Sequence, residues 1–388
     1  MYESMNPRLV FWPIKYSKLS IFYGLSIPLL ISLFYQQYFI PNQLYFIGSI
    51  VIITFFLALP YYETKWQNIN KKTFEHRLFW TSLLFRSIYI LYLYLLTYFN
   101  QPDNFPFELN ASDSLTYHDV ADQIKNLSFS ELLSQLNIYM KNRADFGYPI
   151  YQALIYKIFG TFTLPVRILN ALWGSYTVLL LSRIARFLFT EKHARITGII
   201  AMLFPSLLWY GAIQLKETLM IFIIVFIFYN SLKIYFTKRK ILKSTFYIII
   251  LSGILFYFRT FLAVIVISSY LLFLLLNSKS KHTIIINIIS GFIFLFGLWF
   301  LSINTDVYQD VENQYTESEG FMERNLSNAK EKLGNVEYTT AAVAPLIVTG
   351  AFFTPFPSFL LTEERQFPII AHYQNEIIKN IMYFFGFL

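Results

Sequence analysis

Long apolar stretches separated by short polar connections dominate this 388-residue chain. The stretches IFIIVFIFYNSLKIYF, which begins at Ile221, and IINIISGFIFLFGLWFL, which begins at Ile285, contain almost no charged residue. About 20 consecutive apolar residues are needed to cross a bilayer as a helix. The pattern therefore predicts an all-α protein, a polytopic transmembrane helical bundle with about 10–12 spans.

The spans are expected wherever an apolar stretch approaches this length. They are residues 19–39, 43–62, 79–98, 165–187, 195–213, 218–236, 244–258, 260–277, 282–303, 341–361 and 370–388. The segment YPIYQALIYKIFG, residues 148–160, is apolar but too short to span, so we expect it to lie along the membrane interface as a helix.

The chain is predicted to form one membrane domain over residues 1–388, because no repeat or low-complexity linker divides it. Within it we distinguish N-terminal spans, an outer catalytic loop with interfacial amphipathic helices, core spans, a second outer loop and C-terminal spans. These five parts are residues 1–98, 99–164, 165–303, 304–340 and 341–388.

The charged residues indicate the orientation in the membrane. Only 14% of residues are charged, 56% are hydrophobic, and the net charge is +8. Alternate connections contain 18 of the 31 Lys and Arg, namely residues 1–18, 63–78, 183–195, 233–243 and 278–281. Lys and Arg concentrate on the cytoplasmic side of membrane proteins. We therefore expect a cytoplasmic N-terminus in a bacterial inner membrane. The positive charge then needs no nucleic-acid partner to explain it.

A polar stretch, NASDSLTYHDVADQI at residues 110–124, stands out in the first outer loop. Read as a helix, it places Asp113, Tyr117 and Ala121 on one face at intervals of four residues. Two interpretations of Asp113 are open: it is an N-cap of this helix, as Ser112 could also be, or it is a catalytic carboxylate at the membrane surface.

Five segments in a fixed order resemble the GT-C class of integral-membrane glycosyltransferases. This polyprenyl-phosphate-sugar-dependent group includes protein O-mannosyltransferases and the aminoarabinose transferase of lipid A. Asp113, Tyr117 and Ala121 match the Asp-x-x-x-Tyr-x-x-x-Ala pattern of its first outer loop, although Ser114 stands where many relatives have Glu. The other segments are GYPIYQALIYKIFG, RILNALWGSYTVLLLSRIARFLF, FPSLLWYGAIQLKETLMIF with Glu217, and GILFYFRTFLAV with Arg259.

The resemblance implies transfer of a hexosyl or pentosyl group, with inversion, from a polyprenyl-phosphate carrier to a lipid, glycan or protein acceptor. Asp113 would be the general base. Lys216 and Arg259 would contact the donor phosphate. The alternative is that their side chains only extend to the membrane–water interface. Glu217 would orient donor or acceptor, or be an interfacial ion-pair partner. Tyr117 and His118 are further candidates for substrate binding, although a solvated position also explains His118.

No cofactor and no metal are expected. The five His residues are scattered, the chain has no Cys, and no nucleotide-binding signature occurs. A divalent cation held by Asp113 and Glu217 is an alternative that is not favoured. Two other functions remain as alternatives: a flippase for a lipid-linked glycan, and an O-antigen-type polymerase. Arg86, a charge within the third predicted span, is left undecided between a functional role and extension to the interface.

Overall fold

The computed structural model describes residues 12, 14–34, 42–100, 105–107, 113–128, 131, 147–237 and 241–276. These residues form eleven α-helices and no β-strand. In chain order they are α1 (Ile14–Phe34), α2 (Asn42–Trp66), α3 (Lys71–Asn100), α4 (Asp113–Ile124), α5 (Gly147–Phe159), α6 (Thr163–Leu188), α7 (Glu191–Leu203), α8 (Pro205–Ala212), α9 (Glu217–Thr237), α10 (Ile241–Phe258) and α11 (Thr260–Leu276).

Three of the described helices are long and apolar enough to cross a membrane. They are residues Lys71–Phe99 of α3, then α6 and α9. The bent pair α7–α8 adds a fourth span if it is counted as one, and α10 and α11 contain shorter apolar helices. The predicted class, an all-α membrane protein, is confirmed. The predicted spans 282–303, 341–361 and 370–388 and the second outer loop, 304–340, lie outside the described residues.

The fifth predicted span differs from the prediction, because it is broken. Residues 195–213 were expected to form one helix, but α7 and α8 are bent by 52° where they meet. Phe204 between them has extended backbone angles, φ −65° and ψ 120°. Pro205 is the first residue of α8, where its missing N–H costs no helical hydrogen bond. The ring of a proline clashes with the preceding residue when that residue has helical backbone angles, which explains why the break falls at Phe204.

The helices fall into two compact units. The first contains α1–α3, α6 from Arg167 onward, α7 and α8, with α3 packed on both α7 and α8. The second contains α4, α5 and α9–α11; in it α4 packs on α5, and α5 on α10. The prediction of a single membrane domain stays a prediction.

Charged side chains hold part of the first unit together. Glu75 of α3 accepts hydrogen bonds from Arg183 at 2.6 Å and from Arg186 at 2.6 Å, both on α6. Arg186 also donates to Glu191 of α7 at 2.6 Å, and Arg195 pairs with Glu191 at 3.2 Å. We call these five residues the Glu–Arg network. Because it joins three helices, it fixes them relative to one another.

Arg195 of this network also closes the connection between α2 and α3. Its guanidinium donates to the carbonyl groups of Trp66, Gln67 and Ile69 at 2.6, 3.0 and 2.7 Å. The last carbonyl groups of a helix have no partner within that helix. Arg195 therefore satisfies the carbonyl groups at and just after the end of α2.

Candidate active site

The polar helix expected around Asp113 is present, since α4 begins at Asp113 and ends at Ile124. Its buried residues are Ser114, Tyr117, Val120, Ala121 and Ile124. Asp113 itself is exposed in the first turn, where the helix dipole stabilises a negative charge. The predicted helix is therefore confirmed, and its start places a carboxylate at the edge of the second unit. Ser114, where many relatives have Glu, is packed inside.

Lys216 and Glu217 lie at the start of another helix of the same unit. Glu217 is the first residue of α9, and Lys216 directly precedes it. Lys216 is buried, with 6% of its surface exposed. Its Nζ lies 5.7 Å from the centroid of the Tyr117 ring, the geometry of a cation–π contact. This contact holds Lys216 against α4, one helical turn from Asp113.

Arg259 lies between two helices, directly after α10 ends at Phe258 and before α11 begins at Thr260. Its backbone N–H donates to the carbonyl of Leu255 at 2.9 Å, and its own carbonyl accepts from the N–H of Ala263 at 3.1 Å. The backbone of Arg259 is therefore fixed to both helices, while its side chain is exposed.

Glu217 brings the predicted charges into one electrostatic group. Its carboxylate interacts with the charges of Lys216, Arg259 and Asp113; the two cations attract it and Asp113 repels it. One of its oxygens, Oε2, is buried and has no hydrogen-bond partner among the described residues. We call Asp113, Lys216, Glu217 and Arg259 the helix-end cluster, since each lies at or next to the end of a helix.

Aromatic rings pack beside this cluster. Tyr148 of α5 is fully buried, and its ring centroid lies 5.4 Å from that of Tyr117 and 6.5 Å from that of Phe258. Tyr117 is on the helix of Asp113, and Phe258 precedes Arg259. The three rings therefore connect the segments that contain the base candidate and one of the cations.

His118 has a partner within the unit. Its Nδ1 lies 2.8 Å from the hydroxyl of Tyr156 on α5. Burial lowers the pKa of His118 despite the nearby acids Asp119 and Asp122, which act in the opposite direction. The contact with Tyr156 gives His118 a role in seating α4 on α5; its predicted role in substrate binding stays a prediction.

Sequence reasoning did not single out Tyr148, Phe258 or Gly147 as site residues. The signal was present in the GYPIYQ segment, which the sequence indicated only as an interfacial helix. As α5, this segment is a 13-residue helix whose buried face includes Gly147, Tyr148 and Gln152. Gln152 is fully buried, and neither atom of its side-chain amide has a hydrogen-bond partner among the described residues.

No group of three or more His, Cys, Asp or Glu that could hold a metal ion occurs in the part of the chain that the structure describes. The helix-end cluster contains two carboxylates, and the charges of Lys216 and Arg259 act on that of Glu217. The expectation that no metal or other cofactor takes part stays a prediction.

Arg86, undecided from the sequence, is fully buried in the first unit, with 1% of its surface exposed. It donates to Ser82 one turn earlier on α3. A Cβ built on Gly174 of α6 would lie 2.5 Å from its Nε, and one built on Gly211 of α8 would lie 3.1 Å from the same atom. Two glycines thus make room for the guanidinium. This position shows packing between helices rather than extension to the interface.

A comparison with known families gives one match. Residues 146–304 match the family model described as dolichyl-phosphate-mannose-protein mannosyltransferase. The matched segment contains Lys216, Glu217 and Arg259, whereas Asp113, Tyr117 and His118 precede it. No curated protein and no solved structure matches the chain.

The matched segment begins within one residue of α5 and continues beyond α11, so it contains the helices that present three of the four charges in the helix-end cluster. Apolar helices long enough to span a membrane occur inside it. The resemblance inferred from the sequence is confirmed: the family match indicates an integral-membrane glycosyltransferase of the GT-C kind.

Proposed function

We propose that this protein transfers a sugar from a polyprenyl-phosphate carrier to an acceptor on the outer face of the membrane, with Asp113 as the general base. The observation that supports this most directly is the placement of Asp113, Lys216, Glu217 and Arg259 at or next to helix ends of one unit, with Glu217 close enough for the charges of the other three to act on it. The family match contributes the reaction class, because its printed description names a dolichyl-phosphate sugar.

The chemistry requires groups that this cluster contains. The acceptor oxygen or nitrogen attacks the anomeric carbon of the donor sugar, and its proton passes to the carboxylate of Asp113. The bond between the anomeric carbon and the phosphate oxygen breaks, and its electron pair leaves with polyprenyl phosphate. Attack opposite the leaving group inverts the anomeric carbon.

Lys216 and Arg259 would stabilise the phosphate as its negative charge grows. Cations placed in advance at the point where charge develops stabilise a transition state most where water is scarce. Lys216 is buried, with 6% of its surface exposed, so little water surrounds its charge. The free oxygen of Glu217 is an acceptor for a donor or acceptor hydroxyl, and its charge also balances the two cations when no phosphate is bound.

The test is Asp113→Asn in purified protein supplied with a polyprenyl-phosphate monosaccharide. Loss of a positioned base should lower turnover on the order of 10²–10⁴-fold, while the melting temperature falls only slightly, because a charge at the start of α4 contributes about 0.3–1 kcal/mol. Asp119→Asn is the matched control, because Asp119 is an exposed aspartate on the same helix and should retain full turnover. Unchanged turnover in Asp113→Asn would contradict the assignment.

The same assay separates the alternative functions. The wild-type protein is also given a lipid-linked repeat unit as donor and, in vesicles, a lipid-linked glycan whose movement across the bilayer is measured. Transfer from the monosaccharide donor alone supports the proposal. Elongation of the repeat unit would instead indicate a polymerase, and movement without transfer a flippase.

A further inference from the structure

Gly147, the first residue of α5, packs directly against the end of α10. A Cβ built on Gly147 would lie 2.5 Å from Cδ2 and 2.7 Å from Cε2 of the Phe258 ring, and 3.0 Å from the carbonyl oxygen of Tyr257. Separations below 3.0 Å do not occur for real Cβ atoms. Because Gly147 has no side chain, the first residue of α5 can pack directly against Phe258.

This contact lies one residue away from Arg259. Phe258 ends α10, and the N–H of Arg259 is bonded to Leu255 in the last turn of that helix. The carbonyl of Arg259 accepts from Ala263 in the first turn of α11. Because Arg259 directly follows Phe258 and its backbone is bonded to both helices, a shift of the end of α10 moves Arg259 with it.

The neighbouring residue connects the same point to the carboxylate end of the cluster. Tyr148 packs on Phe258 on one side and on Tyr117 on the other. Tyr117 lies one turn after Asp113, and Lys216 lies over its ring. The start of α5 thus touches the segment that presents Arg259 and, through one ring, the helix that presents Asp113.

We propose that Gly147 is a positioning residue for the transfer reaction. Its missing side chain sets the place of Arg259 relative to Asp113 and Glu217, and so sets where the donor phosphate is held. Gly147 touches no substrate itself and acts through Phe258 and Arg259. This inference rests on the proposed function, because it gives Arg259 the donor phosphate as its ligand.

The test is a double-mutant cycle of Gly147→Ala and Arg259→Ala, with polyprenyl phosphate in detergent micelles as the probe ligand. We expect Gly147→Ala to weaken binding about 5–30-fold and Arg259→Ala about 10–100-fold, in line with the coupling of neighbouring sites. In the Arg259→Ala background, the added Gly147→Ala change should weaken binding no further. An equal weakening in both backgrounds would mean that Gly147 does not act through Arg259, and would overturn the proposal.

Two variants strengthen the cycle. Gly253→Ala is the matched control, since a Cβ at Gly253 on α10 would meet nothing within 4 Å, and it should leave binding unchanged. Phe258→Leu added to Gly147→Ala should restore binding, because it removes ring atoms where the methyl group arrives and approximately conserves the packed volume. Failure of Phe258→Leu to restore any binding would count against the proposal.

If Gly147→Ala does not fold, a second variant tests the same contact. Phe258→Leu by itself loosens the same contact from the other side, and should weaken binding in the wild-type background but not with Arg259→Ala. Transfer kinetics give a second readout: Gly147→Ala should raise KM for the donor more than it lowers kcat, which a general loss of folded protein would not do.

The outcomes separate this proposal from the one it rests on. If the wild-type protein neither binds polyprenyl phosphate nor transfers sugar, the proposed function and the role of Gly147 both fail. If the wild-type protein transfers sugar and Arg259→Ala weakens binding, but the cycle is additive, only the role of Gly147 fails.

Discussion

The two units each contain a carboxylate facing cations, but the two carboxylates are satisfied very differently. Glu75, in the Glu–Arg network, uses both oxygens: Oε2 accepts from Arg183 and Oε1 from Arg186. Glu217, in the helix-end cluster, has a buried Oε2 without a hydrogen-bond partner among the described residues. Its cations act on it through their charge.

Under the proposed function, this difference distinguishes a structural cluster from a functional one. A network in which each acid is bonded to its bases stabilises the folded chain and has little capacity left for a ligand. A buried acceptor left open is costly, and its retention is expected where a ligand or a reaction uses it. Under the proposed function, Glu75 contributes mainly to stability and Glu217 mainly to chemistry.

Glu75→Ala should have the largest effect on stability. It leaves Arg183 and Arg186 without their shared acid, and for a partly exposed ion pair we expect a cost between the ~1 kcal/mol of a surface pair and the ~3 kcal/mol of a buried one. We expect a fall of several degrees in the melting temperature of the detergent-solubilised protein. Asp119→Ala, at an exposed acid outside this network, is the control and should melt as the wild type does. Equal melting of the two variants would remove the structural role of the network.

Glu217→Gln should show the opposite pattern. The amide keeps the shape of the side chain but removes the charge that acts on Lys216 and Arg259. We expect transfer to fall about 10–100-fold, which corresponds to about 1.4–2.7 kcal/mol in the barrier. The melting temperature should fall less than in Glu75→Ala, because no hydrogen bond to Oε2 is lost. A large loss of stability with normal transfer would reverse the comparison.

The smallest expected effect concerns pH and His118. Burial holds the pKa of His118 below its usual value in the folded protein, so the unfolded chain binds a proton more readily. Stability from this residue is therefore present above the unfolded pKa of about 6.5 and is lost as the pH falls through the lower folded pKa.

Melting temperatures measured between pH 7.5 and 5 test this sign. The decrease on acidification should be slightly shallower in His118→Gln than in the wild type, since glutamine does not titrate. Asp119 and Asp122 favour the charged form of His118 and Lys125 opposes it, so the difference is small. A steeper decrease in the variant would contradict the assignment.

Periodicity and charge predicted the features that depend on local sequence. The start of α4 at Asp113, the short helix of residues 148–160 and the apolar spans follow from spacing and length, which act within one helix. The grouping of Glu217 and Arg259 with Asp113 followed from their placement at the same ends of predicted spans, with the resemblance to a family indicating which charges mattered.

The sequence did not reveal features that depend on contacts between helices. The Gly147–Phe258 contact and the two glycines around Arg86 join residues far apart in the chain, and a glycine in a sequence does not show what packs against it. The break at Phe204 was missed for another reason: proline is tolerated within membrane helices, so Pro205 alone did not distinguish a continuous span from a bent one.

That break has a consequence for the surrounding bilayer. At 1.5 Å per residue, α7 is about 20 Å long and α8 about 12 Å, so neither alone matches a hydrocarbon layer of about 30 Å. With a 52° bend between them, the pair reaches a shorter distance along the membrane normal than a straight helix of 21 residues. The neighbouring α3, about 45 Å long, reaches further. A bilayer adjusts to such a difference in length by local thinning or by helix tilt at a modest cost, so we expect membrane thickness to affect this part of the fold.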